Sequence, residues 1–597
     1  MNLTNQQNLA ANHIDGPILV LAGPGAGKTT MLLHRIRNLS KIIDPAHILT
    51  ITFSKNQAID MEERYDGKET NFMTIHAFCY LIIRNYLKKN NRSLRLLETD
   101  DLYSKYDLIR NIYYRLNNKK ITNEDLKEFF KDISYMKNAM LNENYLKNSK
   151  VKECVKIYRA YENFKIKNFY IDFDDMQVIA LKLIENDKNL LNSIRNKYRY
   201  IQVDEGQDTS LIQFRIIEKI ASPNNNLMIV ADDDQSIYSF RASDVSYLLN
   251  FKKIYPESKT IILNENHRSG KNIVDISSRF IDKNNFRYKK DLYTNNTFDS
   301  DITIKSFKNV YDQYKFIRKN ITTDYKCAIL FRNNIQALNM ISFFMEDGID
   351  FSLKISDPHF LESKIIEDFF DIIEFSDDFS KTEIFKEIYY KIGTFLSKED
   401  ILKLKFKPIN QDVFDFYYCS EIDDYKIDAL IKTEKELKHM RNLILSKKIS
   451  FIYKYLGYKS YISNFSKRYK EEVVNKDLFV ESLINFTKDL NDKKEFEDKV
   501  NKLNRYINNN NSNIILSSIH KSKGLEYDTV FIINLNENEF PMIGDGDDYN
   551  KNLEEERRVM YVAMTRAKKD LFLLYIKKRS GINLNPSIFV NEVKSLK

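Results

Sequence analysis

The sequence predicts an α/β protein with two parallel-sheet cores, each interrupted by a mainly helical insertion. Two runs carry the first part of that prediction. IQVDEGQDTS at 201–210 and LMIVADDDQSIYSFRAS at 227–243 are apolar β-type segments that end abruptly in acidic and amide residues. A parallel sheet delivers polar groups to its strand ends in this way. Alternation along the chain carries the second part. Strand-like runs at 18–21, 47–53, 198–203, 227–231 and 261–263 surround a helix-biased stretch at 83–195. A further set at 302–307, 328–331, 514–518, 529–533 and 571–576 surrounds another at 370–508.

In chain order, the apolar run 18–21 enters the loop AGPGAGKTT, and MLLHRIRNL follows with helical spacing. HILTITF at 47–53 alternates β-branched residues and reads as a strand. The stretch 83–195 is rich in Lys, Tyr and Leu and nearly free of Gly and Pro, so it predicts helices. Residues 370–508 repeat that pattern, with apolar positions three and four apart as in DLFVESLINFTKDL. A helix is expected at 553–568, between the last two strands. The Asn- and Asp-rich pieces 507–513 and 545–552 read as loops, and no tandem repeat is present. The expected division is 1–82 with 196–268 as the first core and 83–195 as its insertion. The second core takes 269–370 and 509–597, with 371–508 as a second, shortened insertion.

At 597 residues the chain exceeds one hydrophobic core, so about four subdomains of roughly 100–150 residues are expected. The net charge of +9 suits a polyanionic partner, although the chain's excess of Lys, Asn and Ile could reflect coding bias instead. Cys79, Cys154, Cys327 and Cys419 are widely separated and form no CxxC pair, which argues against a metal or iron–sulfur centre and for reduced thiols. The N-terminal segment lacks an apolar signal core and no run approaches a membrane span, so a soluble, cytoplasmic protein is expected.

Only 14 glycines occur in the chain, yet Gly23, Gly25 and Gly27 fall within five residues. AGPGAGKTT matches the phosphate-binding P-loop pattern, except that Ala22 stands at its first glycine position. In such a loop, Ala22, Gly23, Pro24, Gly25, Ala26 and Gly27 present backbone N–H groups to phosphates. Lys28 reaches the β/γ-phosphates, the Thr29 hydroxyl ligates Mg²⁺, and Thr30 completes the motif. Asp204 and Glu205 are the matching strand-end carboxylates, Asp204 for the metal and Glu205 for the hydrolytic water. Gln235, at the neighbouring strand end, is placed to sense a phosphate. Tyr238, Phe240 and Arg241 follow it closely, two aromatic faces and a cation beside a nucleotide site.

With these motifs in view, the sequence resembles the superfamily 1 DNA helicases of the UvrD/Rep type over nearly its whole length. Residues 3–10 resemble the family's Q motif, with Gln7 at the adenine-reading place. TITFSKNQAIDMEERY (50–65), FMTIHAFCYLIIR (72–84) and the acidic DFDDM (172–176) resemble the next three motifs. LNENHRSGKNIVD (263–275), AILFRNN (328–334), SSIHKSKGLEYDTVFIINLNENEFP (517–541) and LEEERRVMYVAMTRAKKDL (553–571) complete the series in register.

The resemblance implies two RecA-like P-loop NTPase cores with ATP bound between them. It makes Arg268 and Arg566 the paired arginine fingers, Arg566 from the second core and Arg268 from the junction. Gln235 becomes the γ-phosphate sensor and Glu526 a ribose-side residue. It makes Phe53, Thr74, His76, Tyr238, Phe240, Arg241 and His520 contacts to single-stranded DNA, where base stacking is tolerant of sequence. For His76 a buried hydrogen-bonding role fits equally, and for Arg332 a structural ion pair does. The implied activity is ATP-driven 3′→5′ translocation on single-stranded DNA with duplex unwinding. A DNA-stimulated ATPase subunit that does not unwind alone, partnered with a separate nuclease or repair protein, uses the same motifs. Intact Lys28, Asp204, Glu205 and Arg566 argue against a purely binding homologue.

Three departures stand out. Phe240 occupies a place usually held by Trp, and the chain contains no Trp. Ala231 replaces the usual Gly before the acidic run. Residues 371–508 are shorter than the family's second insertion, and the sequence after the last strand is too short for a nuclease domain or long tail.

Overall fold

The computed structural model describes residues 3–597, except positions 68, 101, 244, 356–360, 362, 470–472, 510, 544–547 and 580. For residues 241, 465–469, 473–475 and 508 it describes the backbone alone. The chain divides into two compact units. The first comprises 1–301, 550–569 and 596–597, and the second comprises 302–549 and 570–595.

A six-stranded sheet organises the first unit, in the order Asn71–Thr74, Ile48–Thr52, Tyr200–Val203, Leu227–Ala231, Ile18–Ala22, Lys259–Leu263. Every pairing is parallel. The inner strands are buried on both faces, which is why they read as unbroken apolar runs. Their period of two still divides the side chains. Leu19, Leu21, Ile201, Val203, Ile229 and Ala231 enter one core with Phe78, Ile82 and Phe214. Ile18, Val20, Ala22, Met228 and Val230 enter another with Met31, Leu32 and Ile36. Helices thus cover both faces, and the strand ends carry the polar loops.

The helical insertion has its own core, built from Ile109, Phe129, Ile133, Ile157, Tyr161 and their neighbours. Its helices include Lys105–Asn117, Asn123–Asn138 and Cys154–Asn168. The second unit holds another six-stranded sheet, in the order Ser352–Lys354, Ile514–Ser518, Cys327–Phe331, Tyr527–Ile532, Ala567–Ile576, Asp301–Phe307. The first four of these strands pair in parallel. One continuous core joins this sheet to the following helices, from Ile329 and Leu516 to Phe375, Phe414 and Ile449. Among the described residues no helix is long and apolar enough to cross a membrane. The four cysteines are free thiols.

Two strands of the six-stranded sheets were not anticipated, Asn71–Thr74 and Ser352–Lys354, nor were the two-residue strands Arg95–Leu96, Tyr170–Ile171, Lys578–Arg579 and Ile582–Asn583. The first two are short and lie at a sheet edge, where one neighbour is missing and no long apolar run is required. The expected helix at 553–568 spans Tyr549–Met564, because the strand that follows begins already at Ala567.

Candidate active site

The phosphate loop connects strand Ile18–Ala22 to helix Lys28–Leu39. The cap residue of that helix is Gly27, at φ +69° and without a side-chain cap, so first-turn N–H groups remain for an anion, aided by the helix dipole. Gly25 also lies at φ +69°, and a Cβ there would sit 2.7 Å from the Cβ of Arg268. A Cβ on Gly27 would sit 2.6 Å from Gln7 Nε2. The glycines therefore admit two of the sequence-selected residues to the loop. Gln7 Nε2 donates to the Ala26 carbonyl at 2.9 Å, while its Oε1 accepts from Thr4 N–H at 2.8 Å. Asn266 Nδ2 donates to the Pro24 carbonyl at 2.8 Å, and His267 N–H to that of Gly25 at 3.0 Å. Three loop carbonyls are thereby engaged by neighbours.

Strand Tyr200–Val203 delivers Asp204 and Glu205 to the same sheet edge. Lys28 Nζ lies 2.8 Å from Glu205 Oε1, and Gln207 Nε2 donates to Glu205 Oε2. Burial opposes the Lys28 charge, but Glu205, Asp204 and Asp232 outweigh it and hold its pKa above the ordinary lysine value. Burial, reinforced by repulsion from Glu205, pushes Asp204 up to about 7. A desolvated carboxylate that resists ionisation is short of positive charge. With the Thr29 hydroxyl it offers the hard oxygen donors that suit Mg²⁺, so the residues present fit that ion.

Strand Leu227–Ala231 leads to Gln235. Gln235 Nε2 donates to Asp232 Oδ2 at 2.6 Å, and Gln235 Oε1 accepts from Arg566 at 3.0 Å. Arg566 is 1% exposed, and its Nε donates to the Val562 carbonyl at 3.0 Å. Arg268 donates to the Thr565 carbonyl at 3.2 Å, and Ser269 Oγ to that of Ala567 at 2.6 Å. Asp232 N–H donates to Gln207 Oε1 at 2.9 Å. A bonded chain thus runs Lys28–Glu205–Gln207–Asp232–Gln235–Arg566. Sequence reasoning missed Gln207, Asp232 and Asn266 as members. Gln207 and Asp232 were visible only as further polar residues in their motifs, and Asn266 as a neighbour of Arg268.

The aromatic residues come together at the same edge. Phe53, just past strand Ile48–Thr52, stacks on Tyr238 with centroids 5.2 Å apart and planes 22° apart. Tyr238 lies 5.9 Å from Phe240, and Phe53 and Phe240 are 40% and 47% exposed. Exposed rings in contact form an open apolar surface rather than core.

Other sequence-selected residues have different company. The Thr74 hydroxyl caps helix Ile75–Lys89 through Ala77 N–H at 3.2 Å. His76 Nε2 lies 3.2 Å from Gln177 Nε2, and its ring meets Phe173 edge-on. The Thr30 hydroxyl accepts from Arg64 at 3.4 Å. The Arg241 side chain lies outside the described residues. In the second unit, His520 follows strand Ile514–Ser518, Glu526 stands exposed just before strand Tyr527–Ile532, and Arg332 follows strand Cys327–Phe331.

Comparison with known proteins gives the family of the chain. Residues 3–256 match the UvrD/REP helicase N-terminal domain, and residues 261–578 match the UvrD-like helicase C-terminal domain. The chain is 32% identical to a probable DNA helicase II homolog of Mycoplasma capricolum, over 99% of this chain and 87% of that protein. It is 28% identical to the ATP-dependent DNA helicase PcrA of Staphylococcus epidermidis, over 99% of this chain and 86% of that one. The same identity holds for PcrA of Staphylococcus aureus, over 97% and 84%. Two domain matches in order, with a relative 32% identical over 99% of the chain, make the chain a member of the UvrD/REP helicase family.

Proposed function

We propose that the edge of the first sheet binds and hydrolyses ATP, and that the neighbouring aromatic surface grips single-stranded DNA. The chain is an ATP-dependent DNA helicase of the PcrA/UvrD type, and its family points to 3′→5′ movement. The bonded chain from Lys28 to Arg566 carries the site assignment. Lys28 pairs with Glu205 at 2.8 Å. Arriving phosphates draw Lys28 away and leave Glu205 to polarise the attacking water, while the first-turn N–H groups and Arg268 take up phosphate charge. Gln235 then exchanges Arg566 for the γ-phosphate, and Arg566 is released to stabilise the transferring group. Water forms the new bond to the γ-phosphorus, and the bond to the β-phosphate oxygen breaks. Thr29 and Asp204 would hold Mg²⁺, which supplies charge neutralisation at the β- and γ-oxygens when bound.

The four-part division, a cytoplasmic location and the strand roles of Phe53, Tyr238, Phe240 and Arg241 belong to the same reading. Thr74, His76 and His520 are carried on family resemblance, as are Gln7 at the adenine and Glu526 at the ribose. A nuclease or repair partner would favour the alternative of an ATPase subunit that does not unwind alone. Lys28→Ala should lower DNA-stimulated hydrolysis by at least about a hundredfold in protein that circular dichroism shows to be folded. Full activity in that variant refutes the site. Strand displacement from a 3′-tailed duplex but not a 5′-tailed one supports the helicase reading over the subunit reading.

A further inference from the structure

Helix Tyr549–Met564 ends just before Arg566, and its amino-terminal half touches another point of the loop that Arg566 contacts. Glu555 Oε2 accepts from Ser239 Oγ at 2.9 Å, and Ser239 stands between Tyr238 and Phe240. Arg566 meets Gln235 at 3.0 Å. The residues between these contacts span about 15 Å at the helical rise per residue. One stiff element therefore holds the loop at the phosphate sensor and again inside the aromatic surface.

The same helix is fastened to segment 282–290. Asn285 N–H donates to Glu554 Oε1 at 2.9 Å, Arg557 to Asn284 Oδ1 at 2.7 Å, and Arg558 to the Phe286 carbonyl at 2.7 Å. From that segment, Lys290 reaches Asp232, Asp233 and Asp234 at 2.8, 2.6 and 2.6 Å, immediately before Gln235. The start of the loop is clamped; further along, Ser236 Oγ donates to the Gln207 carbonyl at 3.3 Å and Tyr238 stacks on Phe53, while Ser239 is bonded to the helix through Glu555.

We propose that Glu555 is a positioning residue that couples strand occupancy at Tyr238 and Phe240 to the setting of Arg566 against Gln235. Bases stacking on the aromatic surface displace Ser239, Glu555 passes that displacement to the helix, and Arg566 changes its hold on the sensor. The inference rests on the functional reading above.

The test compares the full-length protein with Ser239→Ala, Glu555→Ala and the double variant. ATP turnover is measured without DNA and with saturating oligothymidylate, alongside KM for ATP and melting temperature. Each single variant should lower the ratio of stimulated to basal turnover by about five- to tenfold, with basal turnover and KM changed by less than about twofold. The double variant should match the worse single, because both remove one bond. Unchanged ratios, equal loss of basal and stimulated turnover, or multiplying effects in the double variant each overturn the proposal. If Glu555→Ala melts early, Ser239→Ala decides alone. A wild-type protein that DNA does not stimulate overturns the functional reading itself, and this inference with it.

Discussion

Two acidic motifs of the first unit fold into clusters with the same count of charges, three carboxylates facing two cations. In one, Asp232, Asp233 and Asp234 face Lys290 and Arg287; in the other, Glu162, Asp172 and Asp175 face Lys137 and Lys165. Each carboxylate trio is close enough to resemble a cation cage, and in each a lysine ammonium lies among the oxygens. Their surroundings differ. Side chains of Lys290 and its three aspartates are wholly enclosed, whereas Glu162 keeps 25% of its side chain exposed. Asp232 is one hydrogen bond from Gln235, while Asp172 caps helix Phe173–Asn186 and binds Tyr161. Buried ion networks alone therefore do not mark chemistry. What matters is the next bond outward, to Gln235, the proposed phosphate sensor, in one cluster and to helix packing in the other.

The comparison breaks most sharply at Lys290. Lys290→Met leaves three enclosed aspartates facing Arg287, a loss of about 3–5 kcal/mol for a buried pair deprived of one partner. Asp232 also loses the ammonium that holds it beneath Gln235, so the folded fraction should turn over ATP at least about tenfold more slowly. Urea denaturation with ATPase assays on the folded protein checks both effects. Wild-type turnover in the folded fraction would erase the distinction between the clusters.

The aspartates of both clusters were legible in the sequence, as DFDDM and ADDDQ, but Glu162 and the lysines were not. Lys290 lies more than fifty residues from Asp232, and Lys137 belongs to a different helix from Asp172. Charged residues usually face water, whether on a helix like Lys137 and Lys165 or in a loop like Lys290, and nothing in their spacing marks these as exceptions. The strands were legible for the opposite reason. Burial on both faces forces apolar runs such as ILVL and LMIV, whose carboxyl ends locate Lys28, Asp204 and Gln235. Edge strands Asn71–Thr74 and Ser352–Lys354 lack that constraint and were missed. Phe53, Tyr238 and Phe240 were selected individually, but only the fold stacks the first two.

Lys165→Met supplies the control. Its ammonium lies 2.6 Å from both Asp172 and Asp175, so stability should fall by about 3–5 kcal/mol, as for Lys290. No step of the proposed hydrolysis passes through this cluster, and turnover per folded molecule should remain near wild type. A parallel loss of turnover would mean that the insertion's packing reaches the nucleotide site.

The smallest effect is expected from removing one excess charge. Burial holds the pKa of Asp233 above the ordinary carboxylate value, whereas Lys137 and Lys165 overcome burial and hold that of Asp172 below it. Asp233→Asn leaves two carboxylates for two cations and keeps an oxygen for Tyr288 N–H, now 2.7 Å away. Asp172→Asn removes a favourable charge from Lys165 and weakens a helix cap. Stability at pH 7 should therefore change by less than about 1 kcal/mol for Asp233→Asn and fall by about 1–3 kcal/mol for Asp172→Asn. The sign for Asp233 follows from its raised folded pKa: stabilisation by that carboxyl is fully present below its unfolded pKa and is lost as pH rises through the folded value. The Asp172 contribution runs the other way and is lost as pH falls through its depressed folded pKa. Denaturation of both variants at neutral pH checks the order. A larger loss from Asp233→Asn would make its full charge part of the clamp on the sensor loop, and the two clusters would then differ in which carboxylate is in excess.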